Sequence, residues 1–234
     1  MQSSAAVALH LDAKTSRPAD LRRAIEEHLR GASGKIADGI KPDDSIIRIS
    51  GADGQDYLCC GIREFCNVTV QGSLGDFGFC SFGEGDGLVA GNVNHFFGHS
   101  LHSGILIVQQ GAKDALCALG TGGMVAVYGN VGDRVAIGMQ GADVVVRGSV
   151  GDFGALGMQA GTLVIGAGAG LHLGRGMRGG TIYVRGEVKS TSPDIEEHRL
   201  REPDRLKIGM LLLKSAIKSD GKEFRVFRPI HREA

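Results

Sequence analysis

The chain has 234 residues, a formal net charge of zero and a pI near 7.1, and 42% of its residues are hydrophobic. This balance provides enough apolar residues for a sizeable core, and it excludes the broad basic surface that is typical of nucleic-acid-binding proteins. A membrane-spanning helix needs about 18 consecutive apolar residues, and no apolar run in the sequence approaches that length. The N-terminus lacks the pattern of a signal peptide. The sequence therefore predicts a cytoplasmic protein with neither a membrane nor a nucleic acid as its partner.

Residues 1–60 predict a small strand–helix–strand cap. Leu21, Ile25 and Leu29 share one face at helical spacing, so we expect an amphipathic helix from Pro18 to Arg30 that ends near Gly31. Alternating apolar residues before this helix and an isoleucine-rich stretch after it predict the two short strands.

Residues 61–190 repeat every 19 residues. One column of this repeat is β-branched seven times in succession, and its members are Val70, Val89, Val108, Val127, Val146, Ile165 and Val184. A short constant period with aligned apolar columns indicates a stacked fold, in which each unit buries its face against its neighbours. We expect a mainly β protein, a right-handed parallel β-helix of about seven 19-residue coils.

Other columns of the repeat have structural explanations. Paired glycines such as Gly122-Gly123 and Gly179-Gly180 are expected at tight corners. Met139, Met158 and Met177 predict a ladder inside the coil. In a further column, Asp76, Asp133 and Asp152 each follow a glycine and are expected to accept hydrogen bonds at the turns, with a cation site as the alternative. Asp114 stands in the same column without a preceding glycine.

One column is apolar although it should point outward, because the residues on either side of it point inward. It reads Thr69, Leu88, Ile107, Ala126, Val145, Val164 and Tyr183. An apolar stripe on an outer sheet face must be covered. Either the terminal helices of this chain or a partner protein would cover it, and we take its members other than Ala126, with His95 and His99, as the candidate interface.

The search for reactive groups assigns no catalytic, cofactor-binding or metal-binding residue. His95, His99 and His102 cluster within one coil, where a metal site, an interface and a polar pocket are the alternatives. The glycines from Gly166 to Gly170 are not followed by the helix that a dinucleotide site requires. The cysteines are odd in number and contain no CxxC pair, so we expect small buried side chains in a reducing compartment.

Residues 191–234 form a tail with a predicted helix from Asp204 to Lys218. Leu206, Met210, Leu213 and Ile217 recur at helical spacing and are expected to face the core. We expect one or both terminal helices to cover an open end of the coil stack, which would otherwise expose unpaired strands.

The repeat resembles the GXGXG domain that closes the large subunit of glutamate synthase. The resemblance spans about residues 61–190, and the segments that carry it are Gly129–Asp133, Ile137–Gly148, Gly151–Gly154, Leu156–Gly166 and Arg175–Gly186. The same domain is a separate subunit in N-methylglutamate synthase (methylamine–glutamate N-methyltransferase), and it also forms one of the subunits of formylmethanofuran dehydrogenase. A chain of 24.5 kDa has no room for the other domains of glutamate synthase, so it resembles the stand-alone form.

The resemblance implies a non-catalytic scaffold within a hetero-oligomer. Its expected partners are a class II amidotransferase-like subunit and an FMN-binding, glutamate-synthase-like subunit, between which an amine passes to or from glutamate. FMN is expected on a partner subunit, with an iron–sulfur cluster there as a further candidate. No cofactor is expected on this chain. The alternative is a scaffold of a formylmethanofuran dehydrogenase or formyltransferase/hydrolase complex. A third hypothesis is an independent enzyme that uses the histidines or cysteines.

Overall fold

The computed structural model describes residues 7–36, 45–217 and 223–230 of the chain. The elements in chain order are β1 (Val7–Asp12), α1 (Pro18–Ile36), β2 (Ser45–Gln55), β3 (Cys66–Leu74), β4 (Gly85–Val89), β5 (Ile105–Val108), β6 (Met124–Val127), β7 (Gln140–Val146), β8 (Ser149–Val150), β9 (Ala160–Ile165), β10 (Gly168–Ala169), β11 (Thr181–Val184), β12 (Glu187–Val188), β13 (Ile195–His198), α2 (Glu202–Lys214) and β14 (Arg225–Pro229).

The main sheet is a parallel ladder with one strand from each coil. Its order is β1-β2-β3-β4-β5-β6-β7-β9-β11, followed by β14 and β13. Residues 19 positions apart are paired in it, as in Val144 with Leu163 and Leu163 with Ile182. The prediction of a mainly β, parallel solenoid is therefore confirmed, with about eight turns instead of seven.

The extra turn lies in the segment that the sequence assigned to the cap. β2 pairs in parallel with β3, so the sheet begins well before the expected boundary at residue 61. α1 packs on β1 and β2 at the N-terminal end of the sheet and buries Leu21, Ile25 and Leu29, as predicted. It continues through Gly31 to Ile36, beyond its expected end.

A second ladder forms the other face of the solenoid. β8, β10 and β12 pair in parallel, and single bridges extend this ladder through Leu74, Val93, Ala112 and Val131. The interior between the faces holds the methionine ladder, because Met139, Met158 and Met177 are all buried. These packed columns are the core that no single coil could supply.

Many corner residues that adopt a left-handed conformation are not glycines. Phe77, Phe79 and Ser81 have φ angles of 57°, 52° and 51°. The N–H of Phe77 donates to His95 O in the next coil, and that of Phe79 donates to Leu58 O in the preceding coil. Hydrogen bonds in both directions along the stack hold this costly backbone, so the expectation that corners depend on glycine was incomplete.

Glycine is required at the corner that contains Gly123, where two coils touch. Gly123 has φ +75°, and an added Cβ would lie 2.8 Å from Ser103 O. Gly87 has a different role, because a Cβ there would lie 2.6 Å from the Phe79 ring. The positions one coil before and one coil after Gly87 are Val68 and Leu106, so the missing side chain at Gly87 makes room for an aromatic ring in the core.

The C-terminal segment closes the ladder in a way that the sequence did not predict. β14 runs antiparallel to β11, the last parallel strand, and β13 adds outside β14. α2 does not cover the end of the stack, and it packs instead on the outer face of the main sheet. The predicted end of this helix at Lys218 lies outside the described residues, and the helix itself ends at Lys214. Within the described ranges, neither α1 nor α2 combines the length and apolarity that a membrane crossing requires.

Candidate functional site

The outward apolar column is divided into two halves by α2. In the C-terminal half, Val145, Val164 and Tyr183 are buried beneath this helix. In the N-terminal half, Thr69, Leu88 and Ile107 are only partly buried. Three of the candidate interface residues are therefore already covered by the chain itself, and a partner could reach only the N-terminal half.

The face of α2 that meets the sheet is not the predicted one. The side chains that pack on the column are Ile208, Leu211 and Leu212. Leu206, Met210 and Leu213, which were expected to face the core, are 60%, 56% and 82% exposed. The helix is apolar on two opposite sides, so periodicity alone did not determine which side the sheet would bury.

Asp204 fixes the first turn of α2 on the sheet. Its carboxylate accepts hydrogen bonds from the Tyr183 hydroxyl at 2.8 Å and from the Arg201 N–H at 3.0 Å, and it pairs with the Arg228 guanidinium of β14. Burial by itself would raise the pKa of Asp204, but these partners favour the ionised form and hold the pKa below its usual value. Burial and the bond to Asp204 raise the pKa of Tyr183.

Two further contacts hold the rest of α2. Lys207 Nζ lies 2.9 Å from Asp143 Oδ2 of β7, and both side chains are partly buried. After the helix ends, the Tyr128 hydroxyl donates to Ser215 O at 3.0 Å. Sequence reasoning had no signal for these pairs, because their members are 64 and 87 residues apart.

A groove of about 240 Å³ opens where α2 leaves the strand ends of the outward face. Its floor and walls are Gly104, Ile105, Gly123, Met124, Gly141, Asp143, Leu211 and Lys214. Glycines form much of this floor, and the one carboxylate in it is engaged by Lys207. Ile105 in its lining belongs to β5, the strand that also carries Ile107 of the outward column, and the lining includes no histidine or cysteine.

The three histidines have separate local partners. His95 Nδ1 lies 3.5 Å from Asp114 Oδ2, while His102 Nδ1 lies 3.1 Å from Thr121 Oγ1. His99 contacts Ser100 Oγ at 3.0 Å and packs edge-on against the rings of Phe77 and Phe96, and burial lowers its pKa. Among the described residues, no three His, Cys, Asp or Glu side chains converge to hold a metal ion.

The aspartate column binds coil to coil. The Oδ1 atoms of Asp76, Asp114, Asp133 and Asp152 each accept a backbone N–H from the next coil, at 2.7–3.1 Å. The predicted role in backbone hydrogen bonding is confirmed, although the donors lie in the following coil. These carboxylates stabilise the stack.

The described cysteines are free thiols, and burial raises the pKa of Cys59, Cys60, Cys66 and Cys117. Cys59, Cys66 and Cys117 are buried, and burial raises the pKa of the Cys66 and Cys117 thiols to about 12. Cys60 is partly exposed, yet burial and neighbouring Cys80 raise its pKa to about 11. A thiol with such a pKa is protonated near neutral pH and reacts poorly.

The sequence pattern of the GXGXG motif matches residues 35–218, from the end of α1 through α2. This chain belongs to the GXGXG family. The match covers the strands from β2 to β13 together with α2 on the outer face of the sheet, and it leaves out β1 and β14. A comparison with curated proteins gave no match.

Proposed function

We propose that this GXGXG chain is a non-catalytic structural subunit of a glutamate-synthase-like complex of the N-methylglutamate synthase type. Family membership supports the glutamate-synthase-like part of the proposal. The aspartate column and His95 make contacts between neighbouring coils, and Cys59, Cys66 and Cys117 lie in the core, which favours a structural role over catalysis.

The observation that carries the proposal is the uncovered N-terminal half of the outward column. Leu88 and Ile107 are only partly buried, with Ile107 at the edge of the cluster beneath α2, whereas the same column is fully buried from Ala126 onward. A neighbouring subunit that packs there would bury these side chains and exclude water from the sheet face.

The proposed neighbours are a class II amidotransferase-like chain and an FMN-binding chain. This chain would hold them at a fixed separation, so that an amine can pass between their active sites on its way to or from glutamate. FMN and any iron–sulfur cluster would belong to the partner, since the described residues of this chain converge on no metal.

Co-expression with the amidotransferase-like and flavoprotein chains tests the proposal. We expect the tagged chain to purify with both, and the flavin absorbance to follow it through gel filtration. Leu88→Asp and Ile107→Asp should reduce this association, while the matched control Leu171→Asp, at an exposed leucine elsewhere on the solenoid, should leave it unchanged.

Three outcomes would count against the proposal. Purification of the chain without either partner would remove its basis. Capture of a metal-dependent hydrolase-like chain would favour the formylmethanofuran dehydrogenase or formyltransferase/hydrolase alternative. Turnover by the isolated chain that His99→Ala abolishes would show an independent enzyme.

A further inference from the structure

Cys60 and Cys80 occupy equivalent positions in two neighbouring coils, the one that begins with β2 and the one that begins with β3. The Cys60 N–H donates to Tyr57 O at 3.2 Å. The Cys80 N–H donates to Phe77 O at 3.2 Å as well, so each cysteine closes the same backbone turn. The coils are joined directly at this point, because the Gly61 N–H donates to Cys80 O at 2.7 Å. The two cysteines therefore lie one above the other in the stack.

The side chains at this turn run parallel in the two coils. The rings of Tyr57 and Phe77, three residues before the cysteines, stack with centroids 5.3 Å apart and planes inclined by 2°. The residues just before the cysteines, Cys59 and Phe79, both have a left-handed backbone, with φ angles of 60° and 52°. Neighbouring strands are about 4.8 Å apart, and a disulfide spans Cα atoms about 4.4–6.8 Å apart. The spacing of the coils therefore allows the two cysteines to be joined.

The Cys60 and Cys80 thiols are close to each other and can be reached from solvent. Both residues are only partly buried, whereas the other three cysteines are buried. Burial and then the neighbouring Cys80 thiol raise the pKa of Cys60 to about 11, as expected for two sulfur groups at short range. The guanidinium of Arg22 in α1 acts in the opposite direction and favours the Cys60 thiolate. This pair combines a close neighbour with access for a small oxidant.

We propose that Cys60 and Cys80 form a reversible disulfide when the protein meets a small disulfide oxidant such as oxidised glutathione. One cysteine thiolate attacks a sulfur of the oxidant, forms a mixed disulfide and releases one glutathione thiolate. The second thiolate then attacks the sulfur of the first cysteine and expels the second glutathione. The two electrons and the two thiol protons of the protein end on the two glutathione molecules.

The parallel side chains make this bond easy to reduce again. They keep the Cβ atoms about as far apart as the strands, roughly 4.8 Å, whereas a relaxed disulfide joins Cβ atoms about 3.8 Å apart. The coils must shift to close the bond, and strained or exposed disulfides are the readily reduced ones. The pair is thus a redox-sensitive modification site, which ties the β2 and β3 coils together when it is oxidised.

Mass spectrometry of the folded full chain after incubation with oxidised glutathione tests the pairing. Because the Cys60 thiol is mostly protonated near neutral pH, the incubation is run at mildly alkaline pH. We expect the wild-type chain to lose two hydrogens and to keep no glutathione, because the second cysteine displaces it. Cys60→Ser and Cys80→Ser should each stop at the mixed disulfide and keep one glutathione. Excess reduced glutathione should restore the free thiols in all three proteins.

The matched control is Cys117→Ala, which removes a buried cysteine of a later coil and should leave the disulfide unchanged. Circular dichroism confirms that each variant is folded. A wild-type chain that does not react, or that keeps glutathione, would overturn the inference. Loss of two hydrogens in Cys60→Ser or Cys80→Ser would also overturn it, because a different pair would then be oxidised. These results leave the proposed function standing, since they are measured without partner subunits.

Discussion

The two halves of the outward column have the same sequence pattern and different surroundings. Val145, Val164 and Tyr183 lie beneath α2, while Leu88 and Ile107 occupy equivalent positions in earlier coils and stay partly exposed. Repeat position therefore determines that a side chain points outward. The route of the non-repeating C-terminal segment determines whether this chain or another one covers it.

A charge beneath α2 should give the largest difference between the halves. Val164→Asp would bury a carboxylate without a partner and should lower the free energy of unfolding by roughly 3 kcal/mol or more. Leu88→Asp should change it by less than about 0.5 kcal/mol, since its side chain can reach water. Urea denaturation of both variants measures this, and equal losses would contradict the division of the column.

Substitutions on the two sides of α2 should also differ in how much they lower the free energy of unfolding. Ile208→Ala leaves a cavity on the sheet and should cost about 2–4 kcal/mol. Leu213→Ala, on the side of α2 that is exposed in the structure, should cost less than about 0.5 kcal/mol in dilute solution. Thermal melts at low concentration give both values. A larger loss for Leu213→Ala would mean that the chain buries the predicted face after all.

Glycines in the solenoid and in the helix should respond in opposite directions. Gly123→Ala forces a Cβ into the preceding coil at φ +75° and should cost about 2 kcal/mol. Gly209→Ala meets open space and should stabilise the monomer by about 0.5–1 kcal/mol through helix propensity. Denaturation midpoints of the two variants at low concentration test this, and a stabilising Gly123→Ala would show that the corner is relaxed.

The smallest expected effect concerns the acid dependence of α2. The folded protein holds the pKa of Asp204 below its usual value. The stabilisation that the ionised carboxylate gives to the folded protein is therefore fully present above the unfolded-state pKa of about 3.9, and it is lost as the pH falls through the folded-state pKa. Asp204→Asn should cost about 1–2 kcal/mol at neutral pH and reduce the acid slope. Hydrogen exchange of α2 amides at neutral and acid pH measures it. The control Asp53→Asn, at an exposed carboxylate in β2, should leave the hydrogen exchange of the α2 amides unchanged at neutral pH.

Much of the fold could be predicted from the sequence, because every coil follows the same 19-residue repeat. The parallel register, the buried methionines and the aspartate hydrogen bonds all depend on neighbours 19 residues away, which the period identifies. The left-handed corners at residues such as Phe77 were missed, because non-glycine residues there are stabilised by bonds between coils.

The surface was less predictable than the core. The sequence identified the outward column but not its cover, and it placed Leu206 and Met210 on the wrong side of α2. Asp204, Lys207 and Ser215 bind residues far away in sequence, and those contacts orient the helix. No local periodicity contains that information.

The sequence by itself determined a stacked parallel solenoid and the residues that fill it, because a fixed period places chemically similar residues at equivalent positions of successive coils. The tertiary structure alone decided where α2 lies and which of its two apolar sides it buries. That choice rests on long-range contacts of Asp204 and Lys207 with the sheet, and it determines which apolar surface remains for a partner.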